Sequence, residues 1–144
     1  MNSFKIYSLM WFVFIVLFST AVIGLEIVEG DKITTTEYYG LNNLGVSFVF
    51  FVVIFSAAAY FFTLLPLSIF IRTFLKATLE RMISYTVLFS LSGIVVFHVL
   101  FDDYFIESYG LNGGIAVLLF GIIGFSYAVV EITLDSFDKK RTVI

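Results

Sequence analysis

Few side chains in this chain could do chemistry. It has one histidine, His98, and no cysteine, which excludes thiolate metal sites, thiol nucleophiles and paired-histidine metal motifs. Asp102 follows four residues later, on the same face if a helix continues that far. The two side chains predict a pH-sensitive pair or a weak cation site. The alternative is a histidine at a membrane interface, beside a solvated acidic loop.

The composition excludes most classes of soluble protein. Of the 144 residues, 60% are hydrophobic and 13% are charged, and the mean hydropathy is +1.06. A water-soluble domain of this size has too much surface to hide so much apolar area. A soluble enzyme, a nucleic-acid-binding protein and a disordered regulator are therefore excluded, and an integral membrane protein remains.

Four apolar stretches are long enough to cross a bilayer, whose hydrocarbon core is about 30 Å thick. They cover residues 6–25, 44–65, 83–101 and 114–134. They predict an all-α membrane protein, a four-helix transmembrane bundle that forms a single domain over residues 1–144. A cleaved signal peptide is the alternative for the first stretch, but no A-x-A pattern precedes Glu26.

The charges predict how the chain is threaded. Seven of the eight basic residues fall on one side of the four spans: Lys5, Arg72, Lys76, Arg81, Lys139, Lys140 and Arg141. The outer loops carry seven acids: Glu26, Glu29, Asp31, Glu37, Asp102, Asp103 and Glu107. Because basic residues are retained in the cytoplasm, both termini are predicted to be cytoplasmic, an N-in/C-in topology.

The two outer loops share a motif. Residues 37–43 and 107–113 are identical at five of seven positions, at an offset of 70. One explanation is local chemistry, with tyrosines as interfacial anchors, glycines in turns and asparagines as helix caps. The other, compatible with the first, is a duplicated helical hairpin with parallel topology. The motif residues are Tyr39, Gly40, Asn42, Tyr109, Gly110 and Asn112.

The segment after Pro66 has the pattern of an amphipathic helix. Over residues 67–82, apolar residues recur at steps of three and four, with basic residues on the remaining face. This predicts a helix lying partly along the inner membrane surface. The alternative is that the second span continues straight and packs on the third, which would bury Phe74 and Leu79 against protein.

Small residues indicate where helices approach closely. The predicted packing positions are Ser56, Ala57, Gly121, Gly124 and Ala128. The last two have the small-xxx-small spacing that favours close contact between membrane helices.

The chain resembles a broad group of bacterial proteins. In its small size, Phe-rich spans, N-in/C-in threading and basic residues 139–141, it resembles the uncharacterised small four-span integral membrane proteins of Bacillus and related Firmicutes. The resemblance implies a bacterial plasma membrane, and it assigns no functional residue.

No catalytic, cofactor-binding or metal-binding motif is present in the sequence. We therefore predict a non-enzymatic accessory, immunity or regulatory protein that acts through helix–helix contacts. Its partners would be membrane lipids and another membrane protein or itself, with no nucleic acid and no cofactor. The alternative is a small oligomeric carrier or channel with a polar path past Ser56 and Ser126. A membrane enzyme acting on lipid would have to use His98.

Overall fold

A computed structural model describes residues 3–142, and over this range all regular secondary structure is helical, with no strand. The helices are α1 (Ser3–Val28), α2 (Leu41–Leu44), α3 (Val46–Ala59), α4 (Leu65–Phe74), α5 (Thr78–Leu100), α6 (Asp103–Tyr109) and α7 (Gly113–Thr142). A 3-10 turn (Gly30–Lys32) follows α1, and a π-helical turn (Tyr60–Leu64) joins α3 to α4.

Four of the helical stretches are long and apolar enough to cross a membrane. They are Ser3–Lys32, Val46–Phe74, Thr78–Leu100 and Gly113–Arg141, called here the first to fourth spans. This confirms the predicted all-α membrane protein with four membrane-spanning helices.

The spans are not packed as a closed ring. The first span lies between the second and the fourth, and the third span packs along the fourth. The backbones of the second and third spans approach each other only near the turn that joins them. The buried side of α5 repeats every fourth residue, which is the spacing that keeps a stripe on one face of a helix: Arg81, Tyr85, Phe89, Gly93 and Phe97.

Pro66 shapes the second span without ending it. Proline has no backbone N–H, and its ring clashes with the carbonyl four residues earlier. The preceding π-helical turn accommodates the missing N–H and the ring of Pro66. In this turn the Leu65 N–H donates to the Tyr60 carbonyl, five residues back instead of four. The helix then continues to Phe74.

Residues 67–82 do not form one helix along the membrane surface. The helix ends at Phe74, residues 75–77 are non-helical, and α5 begins at Thr78. The segment is therefore the adjoining ends of two antiparallel spans and the turn between them. Phe74 and Leu79 are both exposed rather than buried against protein, so the packing that the alternative required is also absent at these two side chains.

Candidate functional site

At the end of the bundle where α1 begins and α7 finishes, labelled here the inner end, two arginines bind the same two carboxylates. Glu131 and Asp135 lie one turn apart on α7, and each contacts a guanidinium from α4 and one from α5. Arg81 binds Glu131 at 2.5 Å and Asp135 at 3.1 Å, while Arg72 binds Asp135 at 2.8 Å and lies 3.4 Å from Glu131. We call these four residues the inner ionic network. It joins three spans, the second through Arg72, the third through Arg81 and the fourth through both acids.

The break after Phe74 is what makes this network possible. Arg72 and Arg81 are nine residues apart, which on one continuous helix is two and a half turns and would put them on opposite faces. The turn at residues 75–77 reverses the chain, so that both guanidiniums approach α7. Arg72 also lies over the Tyr7 ring, 5.3 Å from its centre, and this cation–π contact brings in the first span.

A group of buried hydroxyls lies next to the network. Tyr60, Ser68, Tyr85 and Tyr127 are all buried, and the Tyr85 and Tyr127 rings are 5.2 Å apart. Tyr60 donates to the Tyr7 carbonyl at 3.1 Å. The Ser68 hydroxyl interacts with those of Tyr85 and Tyr127. The inner third of the bundle is thus more polar than its apolar composition suggests.

At the opposite end of the bundle, labelled here the outer end, two further carboxylates are buried. Glu26 accepts hydrogen bonds from the Tyr38 hydroxyl and, at 3.0 Å, from the Leu41 N–H. Glu29 is fully buried and accepts from the Asn112 N–H and from Lys32, both at 2.9 Å. Burial and the neighbouring Glu26 carboxylate raise the pKa of Tyr38, so its hydroxyl stays protonated as the donor. We call Glu26, Glu29 and their donors the outer carboxylate cluster.

The cluster fastens both outer loops to the first span. The two copies of the shared loop motif each supply one backbone N–H, Leu41 from the first loop and Asn112 from the second. Hydrogen bonds from N–H groups compensate a buried carboxylate for the hydration that it loses. The charge pattern assigns Glu26 and Glu29 to an outer loop, but Glu26 lies in α1 and both side chains are buried.

The two motif copies differ in local structure. Gly110 has φ 62°, a left-handed conformation that ends α6, whereas Gly40 is extended. Asn112 caps α7 by accepting from the Gly114 N–H at 2.9 Å, as predicted. Asn42 caps no helix, and its side chain instead donates to Asp31.

The two tyrosines of the motif also differ in their surroundings. Tyr39 is exposed, whereas Tyr109 is half-buried beside Phe105. The similarity is therefore partial in structure, and it leaves duplication a prediction.

The structure does not bring His98 and Asp102 together as a helix-face pair. α5 ends at Leu100, and Asp102 turns to cap α6 by accepting from the Phe105 N–H at 3.1 Å. His98 is exposed and its ring packs against Phe97. Over residues 3–142, no group of three or more His, Asp or Glu side chains could hold a metal ion.

The predicted packing residues lie at two helix contacts. Gly124 meets α5 so closely that a Cβ there would lie 2.8 Å from the Tyr85 carbonyl oxygen, and Ala128 is fully buried. Gly121 faces the Ser90 hydroxyl. On the second span, the Ser56 hydroxyl lies 3.2 Å from that of Ser19, and the Ala57 carbonyl accepts from Trp11 at 3.1 Å.

Residues 3–142 form a depression and a groove on the sides of the bundle. One, a shallow site of about 460 Å³, lies between the third and fourth spans. Its lining residues are Thr86, Ser90, Val117, Leu118, Gly121, Ile122 and Phe125. The other is an apolar groove between the second and third spans, with the first span as its floor.

Sequence reasoning missed both polar ends of the bundle as sites. The signal for the outer one was the spacing of Glu26 and Glu29, three residues apart and in phase with the buried face of α1. Comparison with protein families, curated proteins and solved structures found no match to this chain.

Proposed function

We propose that this chain is a non-enzymatic, multi-pass protein of the bacterial plasma membrane that acts by binding the transmembrane helix of a partner. The observation that carries the proposal is the depression between the third and fourth spans. The buried acids support a structural rather than a catalytic role, because each accepts bonds from donors within the fold.

The lining of the depression suits a helix partner. Gly121 and the small hydroxyl side chains Thr86 and Ser90 line it together with larger apolar residues. Small residues let the backbones of two membrane helices approach, and hydroxyls can form hydrogen bonds across the contact. Thr86 already donates to the Met82 carbonyl at 2.8 Å, whereas Ser90 has no hydrogen bond with a residue in 3–142. Ser90 is thus available to a partner.

In this proposal both termini face the cytoplasm. Arg72 and Arg81 meet at one end of the bundle, the end at which α1 begins and α7 finishes. Membrane proteins retain basic residues on the cytoplasmic side. The membrane surface near the outer carboxylate cluster would then be the outer one.

The carrier or channel alternative gains no support from the packing. Its path was to pass Ser56 and Ser126, but Ser56 is buried against Ser19 while Ser126 bonds to the Ile122 carbonyl near the surface. Aromatic rings fill the centre of the bundle, where Phe18 packs edge-on against Phe120 at 5.4 Å. Solute flux through liposomes that contain the purified protein would restore this alternative.

Photo-crosslinking in cells tests the helix-binding proposal. A photoreactive residue replaces Ile122, which lines the depression and is 56% exposed, or Leu91, a control that is 54% exposed and lies outside it. We expect a discrete protein adduct from Ile122 and little from Leu91. The adduct's mass shows whether the partner is another protein or a second copy.

A second variant distinguishes a specific contact from random collision. Ser90→Leu fills part of the depression, and we expect it to abolish the Ile122 adduct while leaving the protein's membrane level unchanged. Equal adducts from both positions, or an adduct that survives Ser90→Leu, would overturn the proposal.

A further inference from the structure

The groove between the second and third spans follows the length of the bundle. An inner section of about 280 Å³ and an outer section of about 270 Å³ share the walls Phe18, Phe55, Val95 and Val96. Two hydroxyls line the inner section, and both are bonded within their own helices, Thr63 to Ala59 at 2.6 Å and Ser92 to Phe89 at 2.7 Å. The groove therefore offers an apolar surface to its occupant.

The size of the groove matches a hydrocarbon chain. If a methylene takes about the volume of one water molecule in the liquid, roughly 30 Å³, each section holds roughly nine methylenes. The two sections together then hold one acyl chain of ordinary length.

The outer end of the groove changes from apolar to acidic. Beyond Val99 and Leu100 it continues into a pocket of about 360 Å³. Glu37 and Asp102 contribute exposed carboxylates there, together with the exposed Tyr39 ring. No basic side chain lines this pocket. A positively charged amine would gain from both carboxylates and from the face of an aromatic ring.

We propose that the groove is a lipid-binding site, which holds one acyl chain of a membrane lipid whose head group carries a positively charged amine. The chain lies along Phe18, Phe55 and Val96, and the amine sits between Glu37 and Asp102. This site is separate from the depression between the third and fourth spans. The lipid-binding proposal therefore does not depend on the proposed function, and each can fail without the other.

Tryptophan fluorescence provides a matched test. In a Trp11→Phe background, Phe51→Trp puts a reporter in the groove wall, and Phe50→Trp puts one on the next residue, outside the groove. The native side chains are 66% and 67% exposed, respectively. Both variants are reconstituted with phosphatidylethanolamine or phosphatidylglycerol whose acyl chains are brominated, because bromine quenches a nearby indole.

We expect the groove reporter to respond to the amine lipid first. An exposed charge contact is worth about 0.5–1 kcal/mol, so half-maximal quenching of Phe51→Trp should need about two- to fivefold less phosphatidylethanolamine than that of Phe50→Trp. Quenching of Phe50→Trp should follow the bulk lipid fraction for both head groups. Glu37→Gln with Asp102→Asn should remove the head-group preference, and asparagine keeps the cap of α6.

Native mass spectrometry of the unmodified protein gives a second measurement that needs no variant. We expect one retained lipid with an amine head group. Equal quenching of the two reporters, a preference for the anionic lipid, or a crosslinked second copy filling the groove would each overturn the proposal.

Discussion

The two ends of the bundle bury their carboxylates in different ways. At the inner end, Glu131 and Asp135 are neutralised by two guanidiniums from other spans. At the outer end, Glu26 is held by a phenol and a backbone N–H, and Glu29 by a backbone N–H and one lysine. The inner end therefore joins spans through opposite charges, whereas the outer end fastens loops through mostly neutral donors.

This difference determines what each end tolerates. Removing one partner of a buried ion pair leaves a charge without compensation, whereas removing a neutral donor leaves a carboxylate with fewer bonds. We therefore expect the larger losses of stability at the inner end. The predictions below test that order by unfolding purified variants in mixed micelles with a denaturing detergent.

Glu131→Ala should have the largest effect. It leaves Arg81 buried beside a single remaining acid, at a cost of about 3–5 kcal/mol in the free energy of unfolding. Replacing both partners, as in Arg81→Met with Glu131→Leu, should recover most of that loss, because an apolar pair of similar volume has no charge to desolvate. A double variant as unstable as Glu131→Ala alone would show that packing, not charge, dominates this end.

Tyr38→Phe should have an intermediate effect at the outer end. The ring keeps its contacts with Phe101 and Phe105, so the change removes only the hydroxyl that donates to Glu26. A buried acceptor that loses its donor costs about 1–3 kcal/mol. A loss equal to that of Glu131→Ala would contradict the contrast between the two ends.

Comparing the losses of stability in Asn112→Ala and Asn42→Ala tests how far the two loop copies are equivalent. Asn112 caps α7, and losing a cap costs about 0.5–2 kcal/mol. Asn42 only donates to the exposed Asp31, so its removal should cost less than about 0.5 kcal/mol. Equal losses would indicate that the two asparagines serve the same role, as an undiverged duplication would require.

Lys139→Ala should have the smallest effect. Lys139 lies 3.4 Å from Asp135, but its side chain is 77% exposed and its charge is screened by solvent. Exposed pairs contribute about 0.2–1 kcal/mol, so we expect a loss at the lower end of that range, and less in high salt. A loss that salt does not reduce would mean that this lysine belongs to the buried network.

The sequence predicted the helices well because the bilayer imposes a simple length and hydropathy rule. Uncharged stretches such as residues 6–25 and 44–65 have few alternatives in an apolar solvent. The rule places charges outside the spans, however, and so it assigned Glu26 and Glu29 to the outer loops. Their burial depends on Tyr38 and on N–H groups up to 83 residues away, which no local pattern reveals.

The turn at residues 75–77 is a second feature that the local sequence pattern does not reveal. Residues 67–82 have a helical period throughout, and neither glycine nor proline marks a stop at residues 75–77. The ion pairs of Arg72 and Arg81 with α7 need the chain to reverse there, which is a tertiary requirement. Likewise, the pairing of His98 with Asp102 assumed a longer helix than the one that forms.

The inner ionic network also bears on the order in which the protein is assembled during synthesis. Arg72 and Arg81 emerge from the ribosome well before Glu131 and Asp135, the acids that bind them in the folded chain. The hairpin of the second and third spans is therefore synthesised while the guanidiniums of Arg72 and Arg81 still lack the acids that neutralise them. Arrival of the last helix neutralises both at once, so a nascent chain halted before residue 131 would hold its spans in the membrane without locking them together.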